Sequence, residues 1–241
     1  MDIGVGLLLV ATALAASVVA AVAGFGGAAL LLPVLVAVFG VRDAIPILTV
    51  VQLIGNGSRV WLNRSDIHWP VVRWFALGAV PLAFAGGLLF ATAPLSALTR
   101  LLGVFLLGVV VWRHVRRGPQ RRIPLRSFAL IGAAFSFFSA LVGTVGPAMA
   151  PFFLAFGLVK GGYIATEAAS SAVMHIVKLP AYVAGGAVQP SALLVGFALG
   201  PVMVAGSLLG KRLVDRLPER IFVLIIETAL TVVGVVFLVG G

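Results

Sequence analysis

The sequence contains little charge and no cysteine. Of its 241 residues, only 10% are Asp, Glu, Lys or Arg, whereas 61% are hydrophobic. A soluble domain needs a charged surface, so this composition excludes one and predicts that the lipid bilayer surrounds the chain. Without cysteine there is no disulfide framework, thiol nucleophile or thiolate metal site. The N-terminus also lacks the Lys/Arg cluster of a secretory signal, so we expect the first apolar run to be a membrane segment.

Sequence motifs of catalytic sites are absent as well. There is no Gly-x-Ser-x-Gly turn, no His-Glu-x-x-His motif, no phosphate-binding glycine loop with lysine, and no carboxylate cluster that could hold a metal. We therefore predict that the chain is neither an enzyme nor an ATP-driven pump, and that it uses no cofactor. An intramembrane enzyme or a scaffold is the alternative from a different class.

Long apolar runs are what the sequence has instead. A helix needs about 20 apolar residues to cross a hydrocarbon core of about 30 Å, and such runs recur here with short connections between them. They predict an all-α polytopic membrane protein without a soluble domain. The eight apolar segments are residues 3–39, 44–62, 70–91, 97–112, 127–159, 163–184, 190–209 and 221–239.

Glycines interrupt the first and fifth segments, which are too long for one ordinary span. Residues 24–27 are followed by Pro33, and residues 143–147 are followed by Pro151. Glycine lacks the Cβ that restricts φ and proline lacks an amide donor, so a helix can stop and restart at either place. We predict a broken helix in each segment; a long tilted helix that kinks at glycine is the alternative.

An internal repeat relates the two breaks. Gly143 follows Gly24 by 119 residues, and the Ala-Gly-Gly-Leu-Leu sequence at 85–89 recurs 120 positions later as Ala-Gly-Ser-Leu-Leu at 205–209. A recurrence at one fixed offset indicates a duplication. We predict a first repeat at 1–112, a basic linker at 113–126 and a second repeat at 127–241, so that segments one to four correspond to segments five to eight.

The positive charges predict how the halves are oriented. Cytoplasmic loops collect Lys and Arg, so the net charge of +10 indicates orientation rather than a nucleic-acid partner. If all eight segments crossed, nine basic residues would lie inside and seven outside; if the first and fifth return as re-entrant hairpins, fourteen lie inside, including Arg59, and two outside. The second arrangement gives two inverted repeats, each a glycine-broken hairpin plus three transmembrane helices. It places the linker in the cytoplasm and both termini outside.

The two breaks predict a binding site. A backbone break inside a membrane is tolerated only where it is buried in protein or lines a wet cavity. Paired broken helices bring half-helix N-termini together, whose free amides and positive dipole end suit an anion. Close packing of helices through small residues is the alternative. The predicted substrate-binding residues at the breaks are Gly24, Phe25, Gly26, Gly27, Gly143, Thr144, Val145, Gly146 and Pro147.

Polar residues of the second and sixth segments extend this predicted site. A charge in hydrocarbon is costly, so an intramembrane cation needs a partner or a function. For Lys178 the options are a salt bridge to Glu167 or Glu227, pairing with the substrate anion, or snorkelling to a headgroup. The predicted contributors of donors and charge are Gln52, Asn56, His175 and Lys178.

Two further predictions concern single ionisable residues. Arg59 lies near the end of its segment, and we predict that its side chain snorkels to the membrane surface. Histidine and intramembrane carboxylates can carry protons, although a lone histidine in a helix is more often structural. The candidate proton carriers are His175, Glu167 and Glu227.

Three motifs resemble the TauE/SafE family of sulfite and organosulfonate exporters. They are Ala-Gly-Phe-Gly-Gly-Ala-Ala-Leu-Leu-Leu-Pro at 23–33, Gly-Thr-Val-Gly-Pro-Ala-Met-Ala-Pro at 143–151 and His-Ile-Val-Lys-Leu-Pro at 175–180. The resemblance covers essentially the whole chain. It implies a secondary transporter of small sulfur-containing anions, such as sulfite or sulfoacetate, in a bacterial inner membrane. A carrier of small carboxylates or inorganic sulfate stays open. The expected partners are the anion, the lipid bilayer and a second copy in a homodimer.

Overall fold

The computed structural model describes residues 2–94, 96–98, 104, 123–216, 218 and 221. The predicted segments at 97–112 and 221–239 therefore fall almost wholly outside the described residues, as do Glu227 and most of the basic linker. In the described part of the chain all regular secondary structure is helical. The helices are α1 Ile3–Ala23, α2 Gly27–Leu62, a 3-10 turn Arg64–Asp66, α3 Trp69–Thr92, α4 Ser127–Val142, α5 Gly146–Phe156, α6 Lys160–Ala184, α7 Pro190–Ala198 and α8 Gly200–Arg216.

Several of these helices have the length and composition of membrane spans. Within the described residues, four stretches are long and apolar enough to cross a bilayer: Ile3–Ala23, Gly27–Leu62, Trp69–Thr92 and Pro190–Arg216. Large apolar side chains on their outer surfaces, such as Ile3, Leu77 and Leu194, are more than half exposed, as expected for side chains that face lipid. The protein is therefore an all-α polytopic membrane protein, which confirms the predicted fold class. The inverted arrangement of the repeats stays a prediction.

Both predicted helix breaks are present. α1 ends at Ala23 and α2 begins at Gly27, while α4 ends at Val142 and α5 begins at Gly146. Gly24 and Gly143 end the first helix of each pair with φ of 77° and 84°, and each amide bonds the carbonyl four residues earlier. Glycine adopts this left-handed conformation without a Cβ clash, so it ends helices in this way. The prolines do not end helices, because Pro33 and Pro151 lie inside α2 and α5.

Two helix bounds differ from the sequence prediction. The first and second segments are separated only at Gly40, whose φ of 74° and ψ of 164° interrupt α2. α8 continues past residue 209 through the basic stretch to Arg216, where a loop was expected. Lys211 pairs with Asp215 one turn later at 3.3 Å and donates to Asn63 Oδ1 at 3.0 Å. These contacts favour helical continuation beyond the apolar run.

Helices of the two predicted repeats pack against each other through small residues. α3 lies against α4 so closely that a Cβ on Gly78 would overlap the Ala129 carbonyl oxygen. α1 lies against α8, where a Cβ on Gly206 would press on Ser17. The Ser17 hydroxyl donates to the Met203 carbonyl at 2.5 Å across this second contact. In each case the first helix of one half packs on the third segment of the other half, as small residues allow.

We predict that Gly78→Ala destabilises the protein, whereas Gly57→Ala does not. The added methyl group at position 78 meets backbone of α4, which cannot move aside without separating the helices, whereas nothing lies within 4 Å of a Cβ at Gly57. Overpacking costs about 1–3 kcal/mol, while alanine in an open helix position gains up to about 1 kcal/mol over glycine. Thermal unfolding in detergent measures both. Equal melting temperatures for the two variants would contradict the close α3–α4 packing.

Candidate functional site

A small cavity lies where the two helix breaks meet. Helices α1, α2, α4, α5 and α6 all contribute to its wall. Most of the predicted site residues line it, and so do two of the three candidate proton carriers, Glu167 and His175. These lining residues are Gly24, Phe25, Gly26, Gly27, Gln52, Asn56, Gly143, Thr144, Val145, Gly146, Glu167 and His175.

The two breaks are in direct contact with each other. A Cβ placed on Gly146 would lie 3.1 Å from the Phe25 Cβ and 4.0 Å from the Gly26 amide nitrogen. A Cβ on Gly24 would overlap the ring of Tyr163, which is fully buried. The glycines thus serve close backbone approach as well as helix termination.

Two helix N-termini open onto this cavity without side-chain caps. α2 begins after Gly26 and α5 after Val145, and neither residue makes a side-chain hydrogen bond that caps its helix. The first amides of a helix have no partner within the helix, and Gly27, Ala28 and Gly146 line the cavity. Uncapped amides and two positive dipole ends in one cavity suit a bound anion.

Arg59 lies in this cavity, so the prediction that it snorkels to the membrane surface is wrong. Its side chain is 4% exposed and donates to the carbonyl oxygens of Ala20 at 2.9 Å and Gly24 at 3.0 Å. It also donates to Asn56 Oδ1, and its Nη1 lies 3.7 Å from Glu167 Oε2. The exposed carbonyls at the C-terminal end of α1 attract a cation more strongly than a distant headgroup does. Without Arg59, thirteen basic residues rather than fourteen remain on the predicted cytoplasmic side.

Lys178 lies outside the cavity wall and is completely buried at 0% exposure, which excludes snorkelling. Its Nζ donates to the Ser139 carbonyl oxygen at 3.1 Å and to the Ser139 hydroxyl at 3.0 Å. Glu167, one of its predicted salt-bridge partners, pairs with Arg59 instead. The other predicted partner, Glu227, lies outside the described residues. Lys178 therefore supplies a hydrogen-bond donor to a carbonyl group at the C-terminal end of α4.

The contacts of Arg59 and Lys178 repeat at the offset of the two breaks. Lys178 follows Arg59 by 119 residues, and its acceptor Ser139 follows Ala20, the acceptor of Arg59, by the same 119. Each cation thus bonds the carbonyl that also accepts the amide of the helix-ending glycine. The same local structure occurs at both breaks, with a buried cation against the negative end of the half-helix.

Glu167 and His175 each carry a polar atom at the cavity that makes no hydrogen bond to a described residue. Glu167 is 2% exposed; its Oε1 accepts from the Ser171 hydroxyl at 2.8 Å, and its Oε2 accepts no hydrogen bond from any described residue. The Nδ1 of His175 is likewise without a hydrogen-bond partner in the described part of the chain. Buried polar atoms without a hydrogen bond are rare in proteins and often mark functional positions. Pro147, by contrast, is buried in the first turn of α5, away from the cavity wall.

Sequence reasoning missed several residues that line the cavity. Ser139, Ser171 and Met174 belong to it, as does Arg59. Ser171 could have been found, because it lies one turn after Glu167 and one turn before His175 on the same face of α6. The offset of 119 residues pairs Arg59 with Lys178 in the sequence, but the place of Arg59 near the end of its segment favoured snorkelling instead. Ser139 and Met174 carry no comparable sequence signal.

We predict that Arg59→Gln destabilises the protein more than the double change Arg59→Gln/Glu167→Gln does. Removal of Arg59 leaves the Glu167 carboxylate buried beside no cation, and breaking a buried pair from one side costs about 3–5 kcal/mol. The second change removes that charge and should recover about 0.5–3 kcal/mol. Chemical denaturation of the unmodified protein, of these two variants and of Glu167→Gln gives the interaction energy between the two side chains. Strictly additive losses would contradict the ion pair.

Comparison with known proteins identifies the family of the chain. The family model described as sulfite exporter TauE/SafE matches residues 9–237. No curated protein and no solved structure matches the chain significantly. The matched family consists of membrane transporters rather than enzymes. Because the match covers nearly the whole sequence, this multi-pass membrane protein belongs to the TauE/SafE family of sulfite exporters.

Proposed function

We propose that the protein is a secondary transporter that exports a small sulfur-containing anion, such as sulfite, sulfoacetate or another organosulfonate. The observation that carries this proposal is a buried arginine that shares one cavity with two uncapped helix N-termini. All three features attract negative charge, and the family match points to sulfur oxyanions. The anion binds between residues 24–27 and 143–147.

The groups around the cavity match the chemistry of a sulfite or sulfonate head. Such a head carries several acceptor oxygens and no donor when it is ionised. Arg59 supplies a fixed positive charge, and charge-assisted hydrogen bonds are roughly twice as strong as neutral ones. The amides of Gly27, Ala28 and Gly146 supply donors, and Gln52 and His175 lie at the same cavity. A carboxylate would meet the same donors, so a panel of anions must separate the classes.

Lys178 acts on this site by positioning, in our proposal. Its two bonds to Ser139 hold the end of α4, which directly precedes the second break. Pro147 has a related part: its fixed φ favours the first helical turn of α5. Both residues thereby fix the direction in which α5 presents its amides to the anion.

Alternating access of two inverted repeats is the proposed transport mechanism. The reciprocal packing of α1 on α8 and of α3 on α4 supports it, as does the recurrence of the Arg59 contacts at Lys178. α5 has 11 residues and thus spans about 16 Å, only half of a hydrocarbon core. This length favours a re-entrant half-helix. Thirteen basic residues against two favour a cytoplasmic linker, which we place at the inner face of the cell membrane.

Flux into proteoliposomes tests the proposed function. We expect transport of sulfite or sulfoacetate, weaker transport of sulfate, and the least transport of lactate, because the family match points to sulfur-containing anions. Transport of lactate alone would favour the carboxylate alternative. If none of the four anions is transported or bound, the proposal fails.

Substitution of Arg59 tests the site. We expect Arg59→Gln/Glu167→Gln to bind the transported anion about 10- to 100-fold more weakly than Glu167→Gln, because the loss of a charged hydrogen bond costs about 1.5–3 kcal/mol. The Glu167→Gln background avoids an unpaired buried carboxylate. Binding is measured calorimetrically in detergent.

Arg42→Gln is the matched control for that comparison. Arg42 also donates to backbone carbonyls, those of Phe90 at 2.8 Å, Ala91 at 3.0 Å and Ala93 at 3.3 Å, but it lies outside the cavity wall. Its loss should affect stability and leave anion affinity unchanged. Equal losses of affinity at positions 42 and 59 would contradict the assignment of Arg59 to the anion.

A further inference from the structure

We propose that Glu167 couples anion binding to the uptake of one proton. The bound anion replaces the Glu167 carboxylate as the partner of Arg59, and the released carboxylate takes a proton from solution. This inference rests on the proposed function, because it requires an anion in the cavity. It adds the proton as a second ligand of the same site.

The position of Glu167 carries the proposal. Its Oε2 lies 3.7 Å from Arg59 Nη1, too far for a hydrogen bond, and accepts none from any described residue. Oε1 is held by the Ser171 hydroxyl, and the side chain lines the anion cavity. The carboxylate is thus kept close to the cation by charge, with one oxygen free to accept a proton.

Arg59 is fixed more firmly than its ionic partner. It donates to the carbonyls of Ala20 and Gly24 and to Asn56, so the guanidinium stays at the end of α1 whichever anion is near. An anion that binds must therefore come to Arg59, close to Glu167. Two negative charges beside one buried cation repel strongly, and protonation of one of them removes the repulsion.

Charge and proton number balance in this exchange. Before binding, the site holds protonated Arg59 and ionised Glu167, with no net charge. After binding of a monoanion and one proton, it holds protonated Arg59, the anion and neutral Glu167, again with no net charge. One O–H bond forms on Glu167 and no group is oxidised or reduced. The cavity can then reorient across the membrane without moving net charge through hydrocarbon.

Other ionisable groups around Glu167 are less suited to this part. Lys178 is bonded to Ser139, and Tyr163 is buried against Gly24. In the loop before α3, Asp66 and His68 lie at the first turns of α6, near Gly161 and Thr166. α1 and α4 present no charged side chain in their described residues. His175 is the competitor, since it lies two turns beyond Glu167 at the same cavity.

The predicted repeat also indicates that the fold does not require a carboxylate at the position of Glu167. At the offset of 119 residues, Glu167 corresponds to Leu48, whereas Lys178 corresponds to Arg59. Leu48 is fully buried without a charge, so the equivalent helix packs well with an apolar residue there. A carboxylate at only one of two equivalent positions is costly in a membrane and is explained by a function.

Calorimetry with methanesulfonate and sulfate tests the coupling, because neither probe changes its own protonation between about pH 5 and about pH 8. Titrations of the full chain in buffers with different ionisation enthalpies count the protons taken up. We expect about one proton per methanesulfonate for the unmodified protein, none for Glu167→Gln, and about one for His175→Gln. At high pH, Glu167→Gln should also bind methanesulfonate more tightly than the unmodified protein does, since no carboxylate competes with the probe for Arg59.

The pH dependence of the unmodified protein gives a second readout that needs no variant. Affinity for methanesulfonate should rise by up to about tenfold per pH unit as the pH falls, the slope expected for one linked proton. Binding without proton uptake, or proton uptake that Glu167→Gln keeps and His175→Gln loses, overturns the coupling but not the proposed function. Failure of both probes to bind overturns the coupling, whereas the proposed function fails only if sulfite, sulfoacetate, sulfate and lactate are all neither transported nor bound.

Discussion

Backbone groups that a helix break exposes inside a membrane must find partners, and this constraint underlies the rest of the structure. Hydrocarbon offers no water, so each free carbonyl or amide must meet protein or a wet cavity. The carbonyl ends of α1 and α4 are satisfied by Arg59 and Lys178, two buried cations. The amide ends of α2 and α5 have no side-chain cap. An anion can accept hydrogen bonds from these remaining amides.

The same constraint explains why small residues concentrate in this chain. Half-helices can meet at one cavity only if neighbouring helices approach closely, as α3 does to α4 at Gly78 and α1 does to α8 at Gly206. Lipid provides no hydrophobic driving force between helices. Close van der Waals packing at these glycine and alanine contacts stabilises the association instead. Glycine is therefore needed both at the breaks, as at Gly24 and Gly143, and in the packing that supports them, as at Gly78 and Gly206.

How much of this could be predicted from sequence depends on how local each feature is. The breaks at Gly24 and Gly143 were predictable, because left-handed glycine ends a helix by local geometry. The position of Arg59 was not, since a cation near a segment end reaches a headgroup or a buried carbonyl with equal ease, and tertiary contacts decide. Its partner Glu167 is more than a hundred residues away in the chain. The continuation of α8 to Arg216 likewise depends on Asn63, in a distant loop.

Comparison of the two halves distinguishes residues that stabilise the broken helices from residues that determine function. Arg59 and Lys178 occupy equivalent positions and make equivalent bonds, so a cation there follows from the broken helix itself. Asn56 and His175 are also equivalent but differ in chemistry, and Glu167 has only Leu48 as its counterpart. Under the predicted duplication, differences between equivalent positions do not come from the shared fold, because each half folds with its own residue. At such positions we most expect residues that determine substrate choice and proton coupling. Asn56, His175 and Glu167 all line the cavity at the breaks.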